Sequence, residues 1–76
     1  MPRLKCTYRE LIAIIEAHGF VVHRHGATSH TRYRAVINGE VRLVDCSPHD
    51  LGKVIPDGTL NSMIRQSGLP KRLFRK

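Results

Sequence analysis

The dipeptide Asn38-Gly39 constrains the fold of this chain more than any other feature. It lies between two β-rich runs, His30–Ile37 and Glu40–Cys46, and in that setting Asn-Gly is the strongest short signal for an antiparallel hairpin. A further β-rich run, Phe20–His25, precedes the small-residue turn Gly26-Ala27-Thr28-Ser29 and supplies a third strand. Alternation along His30–Ile37 sets His30, Arg32 and Arg34 on one face, with Tyr33, Ala35 and Ile37 on the other. The register across Asn38-Gly39 has two solutions. A two-residue turn sets Ile37 against Glu40 and mixes apolar with charged residues on one face. One additional loop residue aligns Ile37 with Val41 and Ala35 with Leu43, and this second register is expected because its apolar face is cleaner.

Helical signals bracket the strands. Thr7-Tyr8-Arg9-Glu10 reads as a capping box, followed by an apolar stripe at Tyr8, Leu11, Ile12 and Ile15 and closed by Gly19. His18 falls in the last turn, where a cation suits the helix dipole. Beyond the strands, Ser47-Pro48-His49-Asp50 predicts a single helical turn with Ser47 as cap. Ile55-Pro56-Asp57-Gly58-Thr59 opens a second helix, capped by Asp57 or Thr59, with the stripe Leu60, Met63 and Ile64 and Gly68 as its stop. Pro70–Lys76, with four cations in seven residues, is expected as a frayed, solvated tail.

The expectation is therefore a small α+β domain of order α-β-β-β-α. Two helices cover one face of a three-stranded antiparallel sheet, and the opposite face stays open and basic. A single domain over residues 1–76 is expected, with a core at about 7–69 and a basic tail at 70–76.

Charge narrows the partners. Thirteen Lys and Arg against six acids give a formal charge of +7, which on 76 residues points first to nucleic acid. No long apolar run or basic amphipathic helix speaks for a membrane. Cys6 and Cys46 have no zinc spacing and read as reduced thiols, and the opening MPRLKCTYRE has no apolar core of a signal peptide, so a cytoplasmic protein is expected. Five histidines invite a metal, but only His23 and His25 share a strand face and no third ligand is in register, so no metal or other cofactor is expected.

The stretch His23–Arg34, HRHGATSHTRYR, concentrates the chemistry. Histidine exchanges protons near neutral pH and arginine holds phosphate bidentately, so the stretch suits grip on a phosphodiester, or its cleavage.

In order, Leu11–Gly19, Phe20–His25, the turn Gly26-Ala27-Thr28-Ser29-His30, Arg32-Tyr33-Arg34, Asn38-Gly39, Pro48-His49 and Ile55-Pro56-Asp57-Gly58-Thr59-Leu60 resemble the pattern of HicA-type toxins (the YcfA-like group). These are the mRNA interferase half of a bacterial type II toxin–antitoxin pair. Thr28 departs from the glycine that many members carry before Ser-His. The resemblance implies a fold like the double-stranded-RNA-binding domain, metal-independent endoribonuclease cleavage of mRNA, and a HicB-type antitoxin encoded alongside.

RNA can be cut by its own 2′-hydroxyl. That reaction needs a base for the hydroxyl proton, an acid for the departing 5′-oxygen, and cations for the added negative charge. With the resemblance, His30 is the candidate catalytic residue. His23, His25, His49 and water are alternatives for the acid. Arg24, His25, Thr28, Ser29, Arg32, Arg34, Lys71 and Arg72 are the candidate RNA contacts, whereas Arg9, Lys53 and Arg65 read individually as solvated charge. Two alternatives stand beside the ribonuclease: a non-catalytic RNA-binding module of the same fold, and a degenerate member kept as a binding partner.

Overall fold

The computed structural model describes residues 6–25, 31–46 and 51–74. Its elements run α1 (Tyr8–Ala17), β1 (Val21–His25), β2 (Thr31–Ile37), β3 (Glu40–Cys46), α2 (Asp57–Ser67) and a 3₁₀ helix at Lys71–Phe74. This is the α-β-β-β-α order, and the turn expected at Ser47–Asp50 lies outside the described residues.

Both ends of α1 are built as its sequence requires. The Thr7 hydroxyl accepts from the Glu10 amide at 3.2 Å, while the Glu10 carboxylate accepts from the Thr7 amide at 2.9 Å. The next amides find carbonyls from far along the chain: Tyr8 N–H donates to Lys53 at 3.1 Å and Arg9 N–H to Leu51 at 2.9 Å. At the other end Gly19 sits at φ +96°, its amide donating to Glu16 and the Phe20 amide to Ile15. That pair of bonds is the Schellman closure, and the residues it draws together, Ile15 and Phe20, are both fully buried.

The strands form one antiparallel sheet in the order β1-β2-β3. At the hairpin the register departs from expectation. Ile37 pairs with Glu40, Ala35 with Arg42 and Tyr33 with Val44, so the turn holds only Asn38 and Gly39, at φ 53° and 82°. Positive φ at both positions gives the turn whose twist matches the flanking strands, and this outweighs the apolar alignment that a longer loop offers. The core face is then Tyr33, Ala35 and Ile37 beside Val44 and Cys46. Val41 and Leu43 turn outward.

The second helix starts differently from its sequence signals. Neither Asp57 nor Thr59 caps it; the N-cap is Pro56, with no side-chain bond, and Asp57 is the first helical residue. Its carboxylate still lies in the first turn, where the dipole favours it. Leu60, Met63 and Ile64 are buried as expected, joined by Ser67. That hydroxyl donates to the Ile64 carbonyl at 2.6 Å and accepts from the Leu69 amide at 3.1 Å, so a fully buried polar group is satisfied on both sides.

Gly68 closes α2 at φ +70°, and a Cβ built there would lie 2.7 Å from Arg42 Nε. Gly68→Ala is expected to destabilise the fold by about 1 kcal/mol or more, from the left-handed backbone and the displaced Arg42, which also bonds Glu40 at 3.0 Å. A fall in melting temperature of roughly 4–8 °C per kcal/mol is the corresponding readout.

The core joins Leu11 and Ile15 of α1, Phe20, the inner sheet residues, Ile55, the α2 stripe and Leu69. It also contains Phe74, only 1% exposed, in the 3₁₀ helix that packs against α1. The expected frayed tail is thus corrected over residues 71–74. Lys71 and Arg72 are solvated, but Leu73 and Phe74 are apolar anchors, and one turn of helix is enough to bury them.

Tyr33 lies in the same core, and burial, with smaller contributions from the Cys46 and Glu16 charges, pushes its phenol pKa upward. A folded pKa above the unfolded value of about 10 leaves stability intact below that value and erodes it as pH rises beyond it. Alkaline unfolding curves should show this loss, and Tyr33→Phe should flatten it.

Candidate functional site

The strand register assembles one end of the sheet from three adjacent residues. His25 of β1 pairs with Thr31 of β2, and Thr31 pairs with Cys46 of β3. The segment carrying Thr28, Ser29 and His30 leaves from His25 and returns at Thr31, and the segment carrying His49 leaves from Cys46 beside it. These four residues lie outside the described part of the chain. The stem beneath them is described and firm on one side, because Cys46 is fully buried. Arg24 and His25 fall within β1, opposite Arg32 and Thr31 in the register. The ladder is interrupted between Val22 and Arg24, which leaves His23 as an exposed, bulged residue; such bulges re-aim side chains at strand ends.

Arg32 and Arg34 both project from the face opposite the helices, but their states differ. Arg32 is engaged by Asp45, with Nε–Oδ1 at 2.7 Å and Nη2–Oδ2 at 3.4 Å. That hydrogen bond, and then the carboxylate charge, raise the guanidinium pKa further above its ordinary value. Asp45 was not foreseen as a site residue. Its pairing follows from the two-residue turn, since the register that sets Ile37 against Glu40 also sets Arg32 against Asp45. Arg34, half-buried between Val21 and Leu43, has no carboxylate partner among the described residues.

Lys71 and Arg72 sit elsewhere. Both are exposed on the 3₁₀ helix, on the helical side of the sheet, and Lys71 borders an open cleft of about 520 Å³ with Asn61, Ile64, Arg65, Gly68 and Leu69. Arg32 and Arg34 therefore lie on one side of the sheet, and Lys71 and Arg72 on the other. Among the described residues no group of His, Cys, Asp and Glu is placed to hold a metal ion, and no helix is long and apolar enough to cross a membrane.

A model of the family described as the HicA toxin of bacterial toxin–antitoxin systems matches residues 8–69. The chain belongs to this family. No curated protein and no solved structure matches it significantly. The HicA match runs from the first residue of α1 to Leu69, just past α2, and so includes the whole sheet as well as Ser29 and His30. The Phe74 anchor lies beyond it. Membership assigns the toxin role in a toxin–antitoxin pair, and with it a neutralising partner.

Proposed function

We propose that the chain is the metal-independent endoribonuclease of a type II toxin–antitoxin system, cleaving mRNA in the cytoplasm as a single domain with His30 as the proton-transfer residue. The HicA match over residues 8–69 carries this reading. The formal charge of +7 supports RNA as the target, through phosphate contacts by Arg24, His25, Thr28, Ser29, Arg34, Lys71 and Arg72. In the proposed reaction His30 takes the proton of the 2′-hydroxyl, whose oxygen attacks phosphorus. The bond to the 5′-oxygen breaks, an acid returns a proton to that oxygen, and a 2′,3′-cyclic phosphate remains. Arg34, with no carboxylate partner among the described residues, suits the added charge on phosphorus better than Arg32 does. Neutralisation is assigned to a HicB-type antitoxin that covers His30.

The test is purified protein on a defined RNA in excess EDTA, with the 2′,3′-cyclic end identified by mass. Cutting that appears only on adding a divalent ion would remove the metal-independent mechanism, and binding without cutting would favour the non-catalytic module.

The Asp45 contact adds a prediction. Asp45→Asn keeps the shape but releases Arg32 for phosphate. RNA affinity at low salt should rise and the slope of log affinity against log salt should steepen by about 1. Stability should change by less than about 1 kcal/mol, because the pair is solvent-exposed.

A further inference from the structure

The face of the sheet opposite the helices is more apolar than the arginines on it suggest. Val21 of β1, Val36 of β2, and Val41 and Leu43 of β3 are 63%, 58%, 55% and 38% exposed. The register makes them contiguous. Val21, Arg34 and Leu43 form one row across the three strands, and Val36 and Val41 form the pair beyond it. Arg34 is thus a cation without a carboxylate partner among the described residues, set among four exposed aliphatic side chains. A contiguous patch of this kind with one specific charge in it marks an interaction surface.

We propose that this open face, centred on Arg34, is a docking site for the neutralising protein partner, which presents an apolar surface with a carboxylate placed to meet Arg34. This rests on the toxin–antitoxin reading and places the partner's footprint on the sheet. Two observations select a protein. RNA bound on an open sheet is held by aromatic planes that stack its bases. Here Phe20, Tyr33 and Phe74 are buried and Tyr8 packs against the core, so the apolar part of the face is isopropyl and isobutyl groups with no aromatic plane among the described residues. A second copy of the chain is disfavoured by charge, since a face-to-face pair would set Arg34 against Arg34 in molecules that each carry +7. Arg32 is already neutralised by Asp45, so a single carboxylate on the partner satisfies the face.

The test uses the full chain and, as probe, the purified product of the reading frame adjacent to its gene. The double variant Val36→Thr/Val41→Thr keeps the β-branched shape at solvated positions, so its melting temperature and RNA cleavage should match wild type while its affinity for the probe falls at least tenfold. Arg34→Glu should weaken the probe complex at least a hundredfold, and Asp45→Asn should not weaken it. Unchanged probe affinity in the double variant would overturn the docking face and leave the toxin–antitoxin reading standing. Loss of RNA retention by the double variant with the probe complex intact would assign the face to RNA, and a dimer of the free chain abolished by the double variant would assign it to a second copy; either overturns the proposal. Failure of the wild type to bind the probe would overturn the partner reading itself, and the docking face with it.

Discussion

His30→Ala should lose RNA cleavage by roughly 10²–10⁴-fold and, in an induced cell, lose growth inhibition altogether. The size follows from the chemistry. The 2′-hydroxyl is a poor nucleophile until a base takes its proton, and an imidazole titrating near neutral pH is suited to that exchange. His30→Gln keeps much of the volume and some hydrogen bonding but cannot exchange a proton near neutrality, so it should be as inactive as alanine. The core among the described residues is complete without it, and the melting temperature is expected to be unchanged. The decisive measurement compares wild type and His30→Ala on one RNA in EDTA. Equal cutting by both would remove His30 from the mechanism.

The largest effect on stability is expected at the centre of α1. Leu11 is 1% exposed, and Leu11→Ala removes its side chain from a core that α1 shares with the sheet and α2. The cost is about 2–5 kcal/mol, transfer plus cavity. Domains hold only about 5–15 kcal/mol in total, and small ones sit at the low end, so a large share of molecules should unfold near 37 °C. Ile64→Ala, buried on α2, belongs to the same class. Gln66→Ala, exposed on the same helix, should shift the urea midpoint by less than about 0.5 kcal/mol equivalent. Equal midpoints for Leu11→Ala and Gln66→Ala would contradict the packing described.

How far these features are legible from residues alone depends on where their causes lie. The capping box of Thr7 and Glu10, the glycine stops at Gly19 and Gly68, and the stripe of Leu60, Met63 and Ile64 are local chemistry, and each is where its spacing puts it. The hairpin register is not local. The rule that apolar residues face inward favoured alignment of Val41 and Leu43 with the core, but the Asn38-Gly39 turn geometry prevails and the two side chains go outward. The same misalignment hid the Arg32–Asp45 pair. Phe74 was missed because four surrounding cations make its segment look solvated, when a buried aromatic needs only one turn of helix and a place to insert. The catalytic reading of His30 rests on family resemblance, because a Ser-His dipeptide among arginines has no spacing rule of its own to separate catalysis from surface polarity, and residues 26–30 lie outside the described part of the chain.

The carbonyls of Leu51 and Lys53 that accept from the first amides of α1, and the 3₁₀ helix that packs on that helix, have a bearing on how the chain leaves the ribosome. The earliest helix to be made is completed by segments made much later. At the usual pace of elongation the interval between finishing β3 and delivering Phe74 is on the order of seconds. During it the strands exist but the layer that supports them is unfinished, so the stem at His25, Thr31 and Cys46 has nothing rigid behind it. If the chain cuts RNA as proposed, it should therefore leave the message it is read from intact until Phe74 is in place.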